Sequence, residues 1–354
     1  MRRRTPAVGH RSGNGQEQHH PLAVPAIALP PKILRHLAKS LKKQWRGYRK
    51  ELKHCQKDFS EAAVHASRIA TRRLLSTVEL LAGFLPPPRV KKIRRALKRY
   101  LDCFDALRDT HVQLAAVGKL RRTLAGAGLF YRFLRQREER FARQTRRKIR
   151  RIQSRPVGKW IKACRKECAR QQQVLGPATA TALVLRSIDQ AFGRTCELRA
   201  QMDPQDTKTI HCTRVAFKKF RYMVEELAGF LPGMHPRRLA ALHRYQTLMG
   251  AIQDAEVLLG VLDQFLAAQA LEPEPASTLR AQLQQRRQDL IQEYLAAADR
   301  LFEFWPAAAT AAPPARTATA GLRFPADSTG PGPSSHSHEP VRGRSRTKPK
   351  RKAR

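Results

Sequence analysis

Between residues 31 and 305 the apolar positions recur every three or four residues, the period of helices buried along one face. The stretch LRHLAKSLKKQWRGYRKEL, just after Pro31, reads as a basic amphipathic helix with a proline suited to its first turn. A second helix is expected from about Ser60, where Ser60-Glu61 makes an acid-biased start, to Leu85 before Pro86-Pro87-Pro88. KKIRRALKRYLDCFDALRD and the residues beyond it read as one third helix. After the Gly126–Gly128 break come a very basic helix over about 130–153 and another over 159–173. Further helices are expected near 178–201, 205–231, 235–268 and 276–305, separated by Asp203-Pro204, Pro232-Gly233 and Glu272-Pro273-Glu274-Pro275. Alternating, strand-like segments do not interrupt this series, so the expected class is all-α.

Residues 1–30 and 306–354 lack the helical period and are rich in Gly, Pro, Ala and polar residues, which reads as a disordered leader and a disordered basic tail. The domain reading is therefore 1–30 leader, 31–175 first helical half, 176–305 second helical half and 306–354 tail. Charge sharpens the picture. The chain has 69 Lys+Arg against 28 Asp+Glu, a net +41. The two ends carry +3 and +8, which leaves +30 on residues 31–305. A folded region so charged repels itself unless a polyanion or counterions neutralise it. Six cysteines at irregular spacing do not make a disulfide framework. No run of about eighteen apolar residues is present to span a membrane, and the N-terminus has no continuous apolar h-region. These features are those of a reduced, cytoplasmic helical protein.

Self-comparison reveals an internal repeat. VHASRIATRRLLSTVELLAGFLP (64–86) aligns without gaps onto IHCTRVAFKKFRYMVEELAGFLP (210–232), with 11 of 23 positions identical. Landmarks follow in the same order: Arg99-Tyr100 meets Arg244-Tyr245, Asp109 meets Asp254, and Val112 meets Val257. On a helical wheel with His65 at zero, Arg68 falls near 300° and Arg72 near 340°, while Leu74, Val78, Leu81 and Leu85 centre near 190°. His211, Arg214, Lys218 and Arg221 occupy the matching arc, about 80° wide, in the second copy. Each helix thus buries one stripe and displays a column of His and cations on another. Stacked like charges weaken an isolated helix, so the column needs carboxylates or an outside anion. With 55 basic and 25 acidic residues in 31–305, most cations cannot find a carboxylate. Phosphate oxygens would supply the missing charge, bidentate to Arg and as a point contact to Lys. Beside a polyanion the pKa of His65 and His211 would rise, adding donors near neutral pH.

The duplicated pattern H-x-x-R-[IV]-A-x-[RK]-[RK] (65–73 and 211–219), followed by DTHV at 109–112 and DAEV at 254–257, resembles the CHAD family, the conserved histidine α-helical domain. The resemblance spans roughly residues 30–305 of a stand-alone chain. It implies two pseudo-symmetric four-helix bundles with a basic surface between them, binding of inorganic polyphosphate, and recruitment to polyphosphate granules. Transferred position by position, the implied ligand contacts are His65, Arg68, Arg72 and Arg73 in the first half and His211, Arg214, Lys218, Lys219 and Arg221 in the second. Arg99 and Arg244 on the third helices are weaker candidates. The first copy departs from the second in having Leu75 where Arg221 stands. The Glu-x-Glu-x-Lys strand of the triphosphate-tunnel domains often fused to this family is not expected here, since EPEPA at 272–276 lacks the lysine.

Chemistry-bearing motifs are otherwise scarce. There is no G-x-x-x-x-G-K-[ST] loop and no H-E-x-x-H. Carboxylates are too scattered to hold the divalent metal that phosphoryl transfer requires, and Asp109 and Asp254 read as interhelical anchors. Cys164 and Cys168, at i and i+4 in a basic helix, are either a low-pKa pair or idle thiols. Binding without catalysis, cofactor or metal is the expected class. Its alternative is a non-specific nucleic-acid-binding protein that uses the KPKRKAR tail as an arm.

Overall fold

The structure is a computed structural model that describes residues 27, 29–268 and 273–305. Among the described residues every regular element is helical: α1 (Ile33–Lys57), α2 (Glu61–Leu80), α3 (Pro87–Asp102), α4 (Asp105–Leu120), α5 (Ala127–Arg150), α6 (Arg155–Val174), α7 (Pro177–Ala200), α8 (Thr207–Leu227), α9 (Pro236–Ala268) and α10 (Pro273–Ala297). The all-α expectation holds. None of these helices is long and apolar enough to cross a membrane. The leader and the tail fall largely outside the described residues. The leader's last residues are an exception, because Leu29 is buried and Ile27 packs against the core.

Local chemistry explains the element boundaries. Ser60 caps α2 by accepting from the Ala63 N–H at 3.3 Å, and Asp206 caps α8 by accepting from the Lys208 N–H at 3.0 Å. Proline opens α3, α6 and α7 within their first two positions, where its missing N–H has no intrahelical partner to lose. α2 and α8 each end in a short 3₁₀ turn of the same sequence, Ala-Gly-Phe (Ala82–Phe84 and Ala228–Phe230), so both helices stop short of the expected Leu85 and Leu231. The turn before α5 needs Gly126 at φ 79°, a left-handed conformation that side chains with a Cβ rarely adopt.

One expectation is corrected. The third helix of the first half is not continuous: α3 ends at Asp102 and α4 begins at Asp105. The break seats Phe104 fully inside the core, its ring 5.1 Å from that of Tyr100. It also changes neighbours, since α3 packs on α2 and α6 while α4 packs on α5 and α9. α9 is unbroken through the corresponding stretch.

Two apolar cores result. The larger joins residues of both sequence halves, from Leu34, Leu37 and Leu41 of α1 through Leu74 and Val78 of α2 to Phe217, Phe220 and Val224 of α8. The smaller sits where Leu114 and Val117 of α4, Phe130 and Leu134 of α5, Phe265 of α9 and Leu279 of α10 meet. Aromatic rings concentrate around Phe217, whose centroid lies 4.8 Å from Tyr245, 5.8 Å from Phe304 and 5.9 Å from Phe220. Ion pairs stitch the helices where the stripes end. The buried Glu79 carboxylate of α2 accepts two bonds from Arg94 of α3, at 2.6 and 2.8 Å, and lies 3.3 Å from the Lys219 ammonium of α8. Burial opposes its charge, but Arg94 and Lys219 outweigh that and hold the carboxyl below its ordinary range.

Truncating the hub of the aromatic cluster tests this packing. Phe217→Ala should lower unfolding stability by about 3–5 kcal/mol, read from urea denaturation, because the ring has no room to be replaced by collapse of its neighbours.

Candidate anion-binding site

α2 and α8, the two repeated helices, pack directly against each other. Their matched cations therefore meet across one interface instead of lying on opposite sides of the molecule. Lys218 of α8 lies within electrostatic reach of Arg72 and Arg68 of α2 as well as of Arg214 on its own helix. Arg214 in turn feels Arg72 and, from α4, Arg108. Asp105 and Asp109 of α4 and Asp254 of α9 close the cluster. Asp105 lies 3.4 Å from Arg68. Arg108 binds Asp254 through two hydrogen bonds, at 2.6 and 3.1 Å, and Asp109 at 3.0 Å. Asp109 and Asp254, the matched aspartates of the repeat, thus share one guanidinium, which the sequence did not single out.

Five basic groups (Arg68, Arg72, Arg108, Arg214 and Lys218) face three carboxylates in this cluster, an excess of two positive charges while Lys218 is protonated and of one when it is not. Burial first, and the neighbouring cations after it, set the proton affinities. Burial, reinforced by Arg72, pushes Arg68 down to about 10, and burial also lowers Arg214. Lys218 is pushed down to about 7, by burial first and then by Arg72, Arg214 and Arg68. Burial and the charges of Arg214 and Lys218 lower His211, against a supporting hydrogen bond to Gln253. Arg108 moves the other way: its two aspartates outweigh burial and raise it. Asp109 is raised by burial in spite of Arg108.

Donors in the cluster remain unpaired. The Nε atoms of Arg68 and Arg214, at equivalent positions of the repeat, are buried without a hydrogen-bond partner, as is Nδ1 of His211. A buried donor left unmatched is costly, so a site with two such arginine N–H groups is chemically suited to donate to the oxygens of an anion.

The remaining sequence candidates lie in varied settings. His65 and Arg73 are exposed on α2, with Arg73 acting on the Glu225 carboxyl. Lys219 is half-exposed and paired with Glu79. Arg221 is only 5% exposed and is committed to Gln246 at 2.8 Å and to Glu225, with Tyr222 beneath its guanidinium. Arg99 and Arg244 are exposed on α3 and α9, and neither is tied into the cluster. Two open grooves, of about 390 and 410 Å³, lie elsewhere, against α1. Among the described residues no group of three or more His, Cys, Asp or Glu is arranged to hold a metal. The Cys164 and Cys168 thiols are buried and pushed up to about 11 and 12, so they are inert as nucleophiles near neutral pH.

The CHAD domain family matches the chain over residues 32–263. Two solved structures share its fold. The crystal structure of the CHAD domain from the plant Ricinus communis superposes with a TM-score of 0.54 at 20% identity, covering 81% of this chain and 95% of that one. PptA from Streptomyces chartreusis superposes with a TM-score of 0.50 at 19% identity, covering 78% and 99%. No curated protein matches the chain in sequence.

The depressed Lys218 has a measurable consequence. Folded chains bind fewer protons at this amine than unfolded chains do between about pH 7 and 10.5, so stability rises with pH across that window. The interval from pH 7 to 8.5 isolates the effect, before the raised Cys55, Cys164 and Cys168 thiols begin to oppose it. Urea denaturation should show a rise on the order of 1 kcal/mol per pH unit there, absent in Lys218→Met.

Proposed function

The chain belongs to the CHAD domain family, and we propose that it binds inorganic polyphosphate through the cation cluster at the α2–α8 interface. The family binds polyphosphate in general. The observation that carries the reading for this chain is the pair of equivalent guanidiniums, Arg68 and Arg214, each with an unmatched buried donor in a cluster with cations in excess.

Arg68, Arg72, Arg214 and Lys218 form the centre of the proposed site, with His211 adding a donor once an anion raises its pKa. Exposed His65, Arg73 and Lys219 extend the basic track along both helices, which suits a linear polymer with no sequence to read. Arg108 with Asp109 and Asp254 fixes the positions of the others. Arg221, Arg99 and Arg244 serve at most as outlying charge. Uptake of phosphate oxygens relieves the repulsion among the cations, and counterion release makes affinity fall steeply with salt. The role that follows is recruitment or scaffolding at polyphosphate granules in the cytoplasm, without catalysis, and it requires no cofactor. The two halves, 31–175 and 176–305, each contribute one motif helix, as descendants of one duplicated unit would. The basic tail, outside the described residues, adds charge for the same or another polyanion.

A competition assay on the full chain tests the reading. Labelled long-chain polyphosphate, at about 150 mM salt, should be retained against excess duplex DNA and heparin. The pair Arg68→Gln with Arg214→Gln should weaken it by about 100-fold or more while leaving the helical circular dichroism unchanged. Equal displacement by every polyanion, insensitive to that pair, would overturn the proposal in favour of a merely basic, nucleic-acid-type surface.

A further inference from the structure

α5, which packs on α4, carries a second basic face. Phe133, Arg137, Arg140, Phe141, Arg147 and Lys148 project within one arc of about 120° along this helix. One edge of the arc overlaps the buried stripe of Phe130, Leu134 and Ile149, so Phe133 packs against the smaller core and Arg137 and Phe141 are part-buried, while Arg140, Arg147 and Lys148 are exposed. Phe141 belongs to neither apolar core. Its ring is instead part-exposed at the surface, with the Arg140 guanidinium 5.1 Å and the Arg137 guanidinium 5.2 Å from its centroid, and Arg137 also lies 5.6 Å from Phe133. Arg137 donates to Gln264 of α9 at 3.2 Å, yet its Nε is buried without a partner.

The charge on this face is unanswered. The two acidic residues of α5 pair elsewhere, Glu138 with Arg135 and His111 and Glu139 with Arg143. Arg140, Arg147 and Lys148 have no carboxylate partner among the described residues. A run of cations alone would suit any polyanion. Aromatic rings interleaved with arginines at helical spacing add something an inorganic phosphate chain cannot use, namely flat π-faces on which bases stack while the flanking cations take the phosphates.

We propose that the Phe133–Lys148 face of α5 binds single-stranded nucleic acid without sequence preference, separately from the α2–α8 cluster. Bases stack on the open part of Phe141 and on the guanidinium plane of the exposed Arg140, and Arg147 and Lys148 hold the backbone one to two turns further on.

The test is equilibrium anisotropy on the full chain with three probes: a labelled oligouridine 20-mer, an abasic 20-mer of equal charge, and labelled polyphosphate. The wild type should bind oligouridine more tightly than the abasic strand. Phe141→Ala should weaken oligouridine about tenfold, bringing it level with the abasic strand, and leave polyphosphate affinity unchanged. Phe141→Trp should keep oligouridine binding and show indole quenching when the strand is added. Equal binding of the two strands by the wild type would overturn the proposal. So would wild-type affinity in Phe141→Ala, or an unquenched indole in Phe141→Trp. Loss of oligouridine binding in Arg68→Gln with Arg214→Gln, with Phe141→Ala unaffected, would place nucleic acid at the central cluster and also sink the α5 reading. None of these results bears on whether polyphosphate binds at α2–α8.

Discussion

Packing two cationic helices face to face is the constraint around which this molecule is arranged. α2 and α8 share the larger apolar core, and burying their stripes brings Arg68, Arg72, Arg214 and Lys218 together at the edge of the same interface. Apolar burial, at about 25 cal/mol per Å², drives that approach, while Coulomb repulsion in a partly desolvated site opposes it. Asp105, Asp109 and Asp254 make the arrangement tolerable without cancelling it. Because the carboxylates are fewer than the cations, the interface stays receptive to an anion.

Arg108 shows how the balance is built. A single guanidinium on α4 is gripped by one aspartate from its own helix and one from α9, so the two matched aspartates are spent on holding a cation in place. Had they paired directly with Arg68 and Arg214, those donors would be satisfied and the site closed. Glu79 and Glu225 follow the same pattern one turn or more away, each buried or half-buried and held by arginine. Carboxylates in this protein position cations more than they neutralise them.

The division of the fold into two cores has a related effect. The α3–α4 break hands the chain from the larger core to the smaller one, and α5 joins the two, with Phe130 and Leu134 in the smaller and Ile149 in the larger. α5 carries its Arg/Phe face on residues that take no part in the central cluster, so two groups of like sign but different chemistry coexist. One is aromatic-free and partly buried. The other carries a part-exposed ring with two guanidiniums within about 5 Å of its centre.

Much of this was legible in the sequence. The apolar period predicts nine helices where ten are observed among the described residues, with most boundaries near the observed ones, since proline, glycine and capping residues act locally and their effects do not depend on tertiary contacts. The repeat likewise marked Arg68, Arg72, Arg214 and Lys218 as one column on each helix. Arg108 carried no signal, because it stands outside the repeated pattern and matters only through Asp254, 146 residues away. Nor did the sequence separate Arg221, locked to Glu225 and Gln246, from Lys218, since both lie on the same arc of the wheel. The break at Cys103–Phe104 was invisible too, for it contains neither proline nor glycine and exists because Phe104 gains a buried place beside Tyr100. Local periodicity determined which residues form helices and which faces carry charge. Only the packing of α2 against α8 decided which charges meet, because proximity and desolvation, not sequence spacing, set the strength of electrostatic interactions.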